Sequence, residues 1–274
     1  GIPVCELFYP ERLRARLESV LEVKNLLLEH LYHKPALNAD EIFETLMSYK
    51  DQIAPYVCNT FEFLQKAQDE GKNILLEGQL GSLKDPDFGI YPFTTSSHTV
   101  AGYGAIGAGI APYNIKEIVT VVKAYSSAVG AGPFVSELRR RGGDNGEFGA
   151  TTGRPRRMGW FDAVATRYGC RAQGATKVAL TVLDALGYLD ELKICVGYEI
   201  NGEVTKEFPV NAQLEIAKPV YITLPGWKTD IRGIKNFDDL PENCKKYVLT
   251  IEKEIGVHIG VVTNGPKREE FILR

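Results

Sequence analysis

The sequence predicts an α/β fold that follows a helical opening segment. Short apolar runs of strand length recur from Asn73 onward, and helix-length stretches lie between some of them. Strands that alternate with helices are the pattern of an α/β sheet. Before Asn73 the apolar residues recur at helical spacing instead. We therefore divide the chain into a helical subregion, residues 1–72, and an α/β region, residues 73–274, both parts of one domain.

The helical subregion contains three predicted helices. The first begins behind Pro10, since proline suits the first helical turn. Asn38 followed by Glu41 resembles a capping box that opens the second helix, which Pro55 should kink or end. The third runs to about Gly71, a plausible C-cap. The apolar stripe of the first helix comprises Leu13, Leu17, Val20, Leu21, Leu27, Leu28 and Leu31.

The α/β region contains the strands and helices that would form the sheet. The pair Asn201-Gly202 lies between two apolar runs and predicts a hairpin with a type I′ turn. Helices are predicted over residues 161–170 and 241–255, the second with proline in its first turn. Strands are predicted over residues 74–76, 118–125, 178–183, 192–198, 220–223 and 259–262.

The bulk composition argues against several classes of protein. The 274 residues have a formal net charge of -3, so nothing draws the chain to nucleic acid or to a membrane surface. No apolar run is long enough to span a membrane, and the first residues lack the basic region of a signal peptide. The 5 cysteines include no Cys-x-x-Cys pair, which favours reduced thiols in a cytoplasmic protein.

Residues 78–159 combine many glycines with aromatic residues, which indicates either loops that approach a ligand closely or tight turns over a sheet edge. The glycines Gly102, Gly104 and Gly107 match the dinucleotide-binding spacing by letter. That motif requires a strand before it and a helix after it, and the polar residues before Gly102 and the nearby Pro112 argue against both. No G-x-x-x-x-G-K-[ST] motif occurs, so a bound triphosphate would lack its usual cradle of backbone N–H groups.

The most informative stretch is GEFGATTGRPRRMGW, residues 146–160. It combines the hydroxyls of Thr151 and Thr152 with the planar guanidinium groups of Arg154, Arg156 and Arg157. Such a set suits bidentate capture of a carboxylate or phosphate. The alternative is an exposed loop of solvated arginines, which is the interpretation we favour for residues 139–141.

Two further features lie where predicted strands end. Asp184 closes one of them, at the edge where α/β sheets bind ligands, and its carboxylate could accept two N–H groups from a guanine. A plain capping role is equally compatible with its position. The turn of residues 263–266 could close over a flat base or be an ordinary turn. His98 follows a polar loop, and we expect a structural or surface role for it.

Several long stretches, in this order, resemble the adenylosuccinate synthetase family over the whole chain. They are EGQLGSLKDPDFGIYPFTTSS, VKAYSSAVGAGPF, GEFGATTGRPRRMGWFDAVA, LTVLD, LPGW and TNGPKREEFILR. The resemblance implies a P-loop-NTPase-like mixed or parallel sheet with helices. It implies a cytoplasmic homodimer that uses GTP and Mg²⁺ to join IMP and L-aspartate, by way of 6-phosphoryl-IMP. The products would be adenylosuccinate, GDP and phosphate, in a step of AMP biosynthesis.

The resemblance also implies roles for individual residues. The expected aspartate-binding residues are Ala150, Thr151, Thr152, Gly153, Arg154 and Arg156. The expected IMP-binding residues are Gln79, Leu80, Thr95, Val129 and Arg154. The expected GTP-binding residues are Arg156, Val182, Leu183, Asp184, Thr263, Asn264, Gly265 and Pro266.

The chain also departs from the family pattern. Leu80 stands where a glutamine is usual, with Gln79 one place earlier, and Val182 stands where a lysine is usual. The family's amino-terminal third, with its phosphate loop, catalytic aspartate and catalytic histidine, matches nothing here. The resemblance therefore implies a truncated chain with no catalytic residue or Mg²⁺ ligand of its own. We expect this chain alone to be inactive, and the alternative is a catalytically dead module that binds IMP or aspartate.

A last departure concerns Glu137 and Leu138. Relatives carry an extra acidic stretch between these positions, so we expect the two residues not to be bonded neighbours.

Overall fold

The computed structural model describes residues 1–141, 147–149, 153 and 155–274, with the backbone alone at residues 139–141. The chain forms two compact units, Gly1–Ile74 and Leu75–Arg274. Within the described residues, no helix has both the length and the apolar character needed to cross a membrane.

The first unit is helical. Its helices are α1 (Pro10–Leu26), α2 (Ala39–Ile53) and α3 (Thr60–Asp69). Short 3₁₀ turns at Val4–Phe8 and Ala54–Tyr56, and a π turn at Leu27–Leu31, accompany them. The core of the unit consists of Leu7, Leu13 and Leu17, against which residues of α2 such as Ile42, Phe43 and Leu46 pack.

Local sequence signals explain where these helices begin and end. Asn38 caps α2, since its Oδ1 accepts the N–H groups of Asp40 at 2.8 Å and Glu41 at 3.3 Å. The helix ends at Ile53, as expected so close to Pro55. The predicted apolar stripe holds only in part, because Leu27 and Leu31 lie in the π turn and are exposed. The wider turn shifts the helical register and moves them off the buried face.

The described part of the second unit contains three sheets, of which the first positions the site. Strands β1 (Val119–Lys123), β6 (Lys177–Thr181) and β10 (Ile259–Thr263) run parallel with β6 in the centre. Strand β11 (Phe271–Leu273) pairs antiparallel with β10 at one edge. The parallel arrangement brings the carboxyl ends of β1, β6 and β10 to the same edge of the sheet.

The other two sheets are smaller. One is antiparallel, in the order β2 (Ser126–Ala128), β4 (Arg157–Gly159), β3 (Glu137–Arg141). In the other, β7 (Glu191–Ile200) pairs with β5 (Phe161–Asp162), β8 (Glu203–Thr205) and β9 (Lys218–Pro225). The turn between β7 and β8 has φ of 52° at Asn201 and 87° at Gly202, which agrees with the predicted type I′ hairpin.

The second unit also contains helices, two of which pack against the first sheet. The helices are α4 (Gly102–Ala108), α5 (Ala163–Gln173), α6 (Asn211–Leu214) and α7 (Glu242–Ile255). Side chains of β6, β10, α5 and α7, among them Leu180, Val262, Cys170 and Ile251, form one buried cluster. The hydroxyl of the buried Tyr247 donates to the carbonyl of Ala124 at 2.7 Å and so ties α7 to the end of β1.

Two expectations about this region are wrong. Residues 74–76 form no strand, and Leu75 is 90% exposed, because no neighbouring strand pairs with this segment. Glu137 and Leu138 are consecutive residues of β3. An irregularity between Glu137 and Arg141 absorbs the register shift against β4, so no break separates them.

Candidate active site at the carboxyl edge of the parallel sheet

Residues that follow β6 and β10 meet at the carboxyl edge of the first sheet. The backbone N–H of Val182 donates to the hydroxyl of Thr263 at 3.0 Å. The structure therefore joins the segment that contains Asp184 to the turn of residues 263–266. This is the edge at which open α/β sheets bind ligands.

The three residues after β6 differ in what they can offer a ligand. Val182 adopts a left-handed conformation with φ of 58°, which a β-branched residue rarely takes. Leu183 is fully buried in the core, so its side chain cannot reach a ligand and only its backbone remains. Asp184 lies in the 3₁₀ turn Leu183–Leu186 and is half-buried. Its carboxylate is thus the polar side chain that this segment presents at the edge.

Asp184 acts electrostatically on a nearby arginine. Hydrogen bonds to Asp230 chiefly raise the pKa of Arg232, and the charges of Asp184 and Glu270 raise it further. Arg232 is therefore within electrostatic range of Asp184. Its salt bridge to Asp230, with an N–O distance of 2.6 Å, holds its position on the surface.

The turn after β10 is held by the side chain of Asn264. This residue is fully buried, and its Nδ2 donates to the carbonyls of Ile231 and Ile234, both at 2.8 Å. Its backbone N–H donates to the carbonyl of Glu270 at 3.1 Å. Since the amide N–H groups of Asn264 are already used, it can serve a ligand through its backbone and by fixing the turn.

Gly265 and Pro266 complete that turn. A Cβ at Gly265 would lie 2.3 Å from Oε2 of Glu270, the oxygen that accepts the N–H of Lys267 at 2.9 Å. A larger residue at this position would displace the Glu270 carboxylate and break that bond. The close approach fixes the shape of the loop that Thr263 begins.

The described residues of the segment 147–156, which are 147–149, 153, 155 and 156, form the base of a narrow hairpin. The N–H of Arg156 donates to the carbonyl of Glu147 at 3.0 Å, and the N–H of Gly153 donates to that of Gly149 at 2.9 Å. Phe148 and Pro155 form a bridge between these bonds. The half-buried Arg156 also donates from Nε to the carbonyl of Phe148 at 3.2 Å. The expected aspartate-binding residues Ala150, Thr151, Thr152 and Arg154 lie outside the described residues.

The guanidinium group of Arg157, which the sequence grouped with Arg154 and Arg156, is bound to protein groups in the structure. Its Nε and Nη2 bind both carboxylate oxygens of Glu137, at 2.8 and 2.5 Å. Its Nη1 donates to the carbonyl of Gly132 at 2.8 Å. The guanidinium group therefore has its fork occupied by protein groups, and it serves to connect β3, β4 and the segment before β3.

The residues expected to bind IMP occupy two loops that pack together. The Nε2 of Gln79 donates to the hydroxyl of Ser97 at 2.8 Å, whereas Leu80 is 61% exposed with φ of 64°. Thr95 and Val129 are half-buried. A Cβ at Gly132, three residues after Val129, would lie 2.9 Å from the Phe93 ring, so the segment after β2 closely contacts the loop that contains Thr95.

Asp85 organises the loop around Thr95. Its fully buried carboxylate accepts the N–H groups of Asp87 at 2.9 Å, Phe88 at 3.2 Å and Thr99 at 2.7 Å. Burial raises the pKa of Asp85, but these backbone hydrogen bonds outweigh burial and lower the pKa overall. The residue is therefore an ionised internal cap. Sequence reasoning missed it, because nothing local marks an aspartate as buried.

Asp85, Asp87 and His98 bring potential metal ligands within 4.8 Å of one another. Mg²⁺ requires several oxygen ligands in octahedral geometry, and the oxygens of Asp85 already accept backbone N–H groups. His98 stacks on Tyr103 with ring centroids 3.6 Å apart, which accords with the structural role expected from sequence. This cluster does not fit Mg²⁺, and no other group of three potential ligands occurs among the residues that the structure describes.

Sequence reasoning also missed a polar cluster beside the carboxyl edge. Glu147, at the base of the hairpin, accepts hydrogen bonds from Nζ of Lys123 at 2.8 Å and from the hydroxyl of Tyr125. Lys123 ends β1, and Tyr125 follows it closely. The available signal was a lysine at the end of a mainly apolar strand, since a half-buried lysine requires a partner.

Comparison with known proteins identifies the family. A family model for adenylosuccinate synthetase matches residues 1–272. Adenylosuccinate synthetase of Caldanaerobacter subterraneus subsp. tengcongensis is 44% identical over 279 residues, which cover 100% of this chain and 65% of the relative. That of Salinibacter ruber is 44% identical over 278 residues, which cover 99% of this chain and 63% of the relative.

A solved structure, described as fully ligated adenylosuccinate synthetase from Plasmodium falciparum, gives a TM-score of 0.91. Its identity is 32%, and the match covers 100% of this chain and 66% of that one. The α/β fold predicted from sequence, with a parallel sheet and helices, is confirmed. The chain spans about 65% of the length of the first relative. It belongs, over nearly its entire length, to the adenylosuccinate synthetase family.

Proposed function

We propose that the whole protein containing this chain ligates IMP and L-aspartate to adenylosuccinate, with GTP converted to GDP and phosphate, in AMP biosynthesis. One observation carries the proposal beyond family membership. Asp184 and the turn after Thr263 lie at the carboxyl edge of one parallel sheet, and Lys123 at the same edge binds Glu147 at the base of the hairpin that contains Arg156. A purine nucleotide and a small dicarboxylate could therefore bind side by side.

The nucleotide site we propose uses the two segments joined by the Val182–Thr263 hydrogen bond. Asp184 would accept two N–H groups from the edge of guanine, and adenine does not present that pair of donors. Such charge-assisted hydrogen bonds favour GTP over ATP. Thr263, Gly265 and Pro266 would close over the base, with Asn264 fixing the turn. Val182 and Leu183 would contribute backbone contacts, and Arg156 would approach the phosphates.

The aspartate site we propose lies in the loop of residues 147–156. Its polar members would be Thr151, Thr152, Arg154 and Arg156, with Ala150 and Gly153 shaping the backbone. Guanidinium groups suit this task, because their fork matches a carboxylate and they keep their charge when partly buried. The hairpin below the loop, closed by the Arg156–Glu147 bond, supports the assignment.

The IMP site we propose uses the two loops that pack at Gly132. Gln79, Leu80, Thr95 and Val129 would line it, and Arg154 would reach it from the aspartate loop. Leu80 is exposed on a left-handed backbone. Gln79, which is bonded to Ser97, therefore offers the nearest amide for the contact that a glutamine usually makes at Leu80.

Mg²⁺ is the metal we propose, and it would neutralise phosphate charge when bound. We place its ligands outside this chain, since the one three-ligand cluster among the described residues does not suit it. We also propose a cytoplasmic homodimer without a nucleic-acid or membrane partner. The exposed apolar side chains of Val23, Leu26, Leu31 and Tyr32 in the first unit support self-association.

Activity measurements test this proposal on the full-length protein and on residues 1–274. With GTP, IMP and L-aspartate, the full-length protein should form adenylosuccinate and release phosphate. The shorter chain should show no turnover, because it contains no phosphate-loop motif and loss of that cradle removes many orders of magnitude in rate. A full-length protein that binds IMP but never releases phosphate would favour the catalytically dead binding module instead.

A further inference from the structure

The cluster of Lys123, Tyr125 and Glu147 has no part in the ligand contacts proposed above. Lys123 and Tyr125 come from the carboxyl end of β1, and Glu147 begins the hairpin below the aspartate loop. The Lys123–Glu147 bond joins residues 24 apart in sequence, and the Tyr125–Glu147 bond joins residues 22 apart. The cluster is therefore a tertiary connection between the sheet edge and the loop.

We propose that these three residues form a clamp that holds the base of the hairpin, from which Arg156 projects, against the carboxyl edge of the sheet. The proposal rests on the proposed function for the identity of the loop's ligand. Its geometric part stands on the described contacts alone. The residues of the clamp are positioning residues, since they act on the amino-acid substrate through the loop.

The backbone shows how the clamp would act on the loop. Glu147 and Arg156 are opposite each other at the base of the hairpin, joined by an N–O distance of 3.0 Å. Arg156 in turn donates from Nε to the Phe148 carbonyl. Holding the side chain of Glu147 therefore fixes the backbone from which the Arg156 guanidinium projects, and a displaced guanidinium would lose its alignment with a carboxylate.

The electrostatics keep the clamp engaged at neutral pH. Burial raises the pKa of Glu147, but hydrogen bonds from Lys123 and Tyr125, with the charges of Lys123 and Arg156, outweigh burial and lower the pKa overall. Burial and the bond to Glu147 raise the pKa of Tyr125, so its hydroxyl remains a donor. Glu147 is thus an ionised acceptor facing a cation and a protonated phenol.

The clamp is also within electrostatic range of both proposed ligand sites. The pKa of Tyr125 is raised chiefly by burial and also by the charge of Asp184, whereas the charge of Arg156 lowers it. The Tyr125 hydroxyl is therefore within electrostatic range of both the guanine-reading carboxylate and the loop arginine. Loosening the clamp should affect the hairpin more than the nucleotide site, because Lys123 and Tyr125 both donate to Glu147 at the base of the hairpin.

Both hydrogen bonds that reach Glu147 end on one oxygen atom, while Nζ of Lys123 also donates to the hydroxyl of Ser127 at 2.9 Å. Oε1 of Glu147 accepts both donors, whereas Oε2 is buried and accepts no hydrogen bond from any described residue. Glu147→Gln removes the charge and keeps the size, so it is the sharpest test. Tyr125→Phe removes a single donor. Glu117→Gln is a matched control, because Glu117 pairs with Lys177 at 2.6 Å at the opposite end of β6.

The kinetic experiment uses the full-length protein. We expect Glu147→Gln to raise the KM for L-aspartate about tenfold or more, since a small misplacement of a binding group is costly. The KM for GTP should rise less than that for L-aspartate, because Arg156 is one of several residues proposed to contact GTP. The thermal midpoint should change little, and Glu147→Asp should recover part of the loss. Glu117→Gln should leave every parameter unchanged. The KM values for all substrates could instead rise equally, or the rise could follow from a lower thermal midpoint. Either result would show that the cluster is only a structural contact and would contradict the proposal.

A second readout does not depend on ligase activity. Site-resolved hydrogen exchange at the N–H groups of Gly153 and Arg156 reports opening of the hairpin without any substrate. We expect exchange to accelerate about tenfold in Glu147→Gln and to stay unchanged in Glu117→Gln. Unchanged exchange in both variants overturns the clamp, whatever the kinetics. Exchange could also accelerate in Glu147→Gln while the wild-type protein shows no ligase activity. That result would support the geometry of the clamp and overturn the proposed function.

Discussion

Replacing Asn264 should destabilise the protein although the residue contributes no apolar core surface. Its side chain is fully buried, and its Nδ2 donates to the carbonyls of Ile231 and Ile234 at 2.8 Å. In Asn264→Ala both bonds are lost. The carbonyl of Ile231 keeps a bond from the N–H of Ile234 at 3.3 Å, so the carbonyl of Ile234 is the group left without this partner.

The magnitude follows from that inventory. Two lost hydrogen bonds at about 1 kcal/mol each, with one buried carbonyl left unpaired, give about 2–4 kcal/mol. Asn264→Asp should cost more, because a carboxylate would face two carbonyl oxygens in place of a donor. Its cost should also grow as pH rises, since burial opposes ionisation of the new carboxyl group.

Urea unfolding measures both effects as changes in the free energy of unfolding. Asn236→Ala is the control: its Nδ2 contacts Asp239 at 2.9 Å on the surface, so a change within about 0.5 kcal/mol is expected. The same variants should weaken GTP binding, because the turn after Thr263 loses its support. If Asn264→Ala cost no more than Asn236→Ala, the side chain would not hold this turn and the reasoning would fail.

Two further predictions concern stability. Burial raises the pKa of Glu252, but bonds that include one from Arg274 at 2.8 Å lower it overall. Its stabilisation is therefore full above the usual pKa of 4.5 and disappears as pH falls through the lower folded value. Glu252→Gln should cost about 1–2 kcal/mol at neutral pH and flatten the acid limb of a pH titration of stability; an unchanged limb would contradict this. Val182→Asn should raise stability by about 1 kcal/mol, because asparagine tolerates the left-handed backbone better than valine, and a lower thermal midpoint would show that packing of Val182 dominates.

Much of the sheet could be predicted because its signals are local. The apolar run at residues 259–262 corresponds to β10, and that at 178–183 overlaps β6, since the central residues of both strands are largely buried. Pro241 similarly marks the start of α7. The run at residues 74–76 has the same composition and forms no strand, because a strand also requires a partner, and composition does not reveal one.

In the candidate site, too, the features with local sequence signals were predictable and the long-range contacts were not. The position of Asp184 at a strand end was predictable, since strand ends are visible in the sequence. The Lys123–Glu147 contact was not predictable, because the two residues are 24 apart in sequence. No local pattern specifies the hairpin that begins at Glu147. The arginines show the limit most clearly. Arg156 and Arg157 are adjacent and chemically identical, yet the register of β4 directs Arg157 to Glu137 and leaves Arg156 at the loop.

The most direct test of the account is nucleotide discrimination by Asp184→Asn in the full-length protein. Asparagine can accept one of the two guanine N–H groups and turns a donor toward the other. Losing a charge-assisted hydrogen bond of about 1.5–3 kcal/mol should lower the GTP-to-ATP ratio of kcat/KM by about 10- to 100-fold. The KM values for IMP and L-aspartate should stay unchanged. A variant that prefers GTP as strongly as the wild type would show that Asp184 does not read the base, and would contradict the nucleotide site placed at this edge.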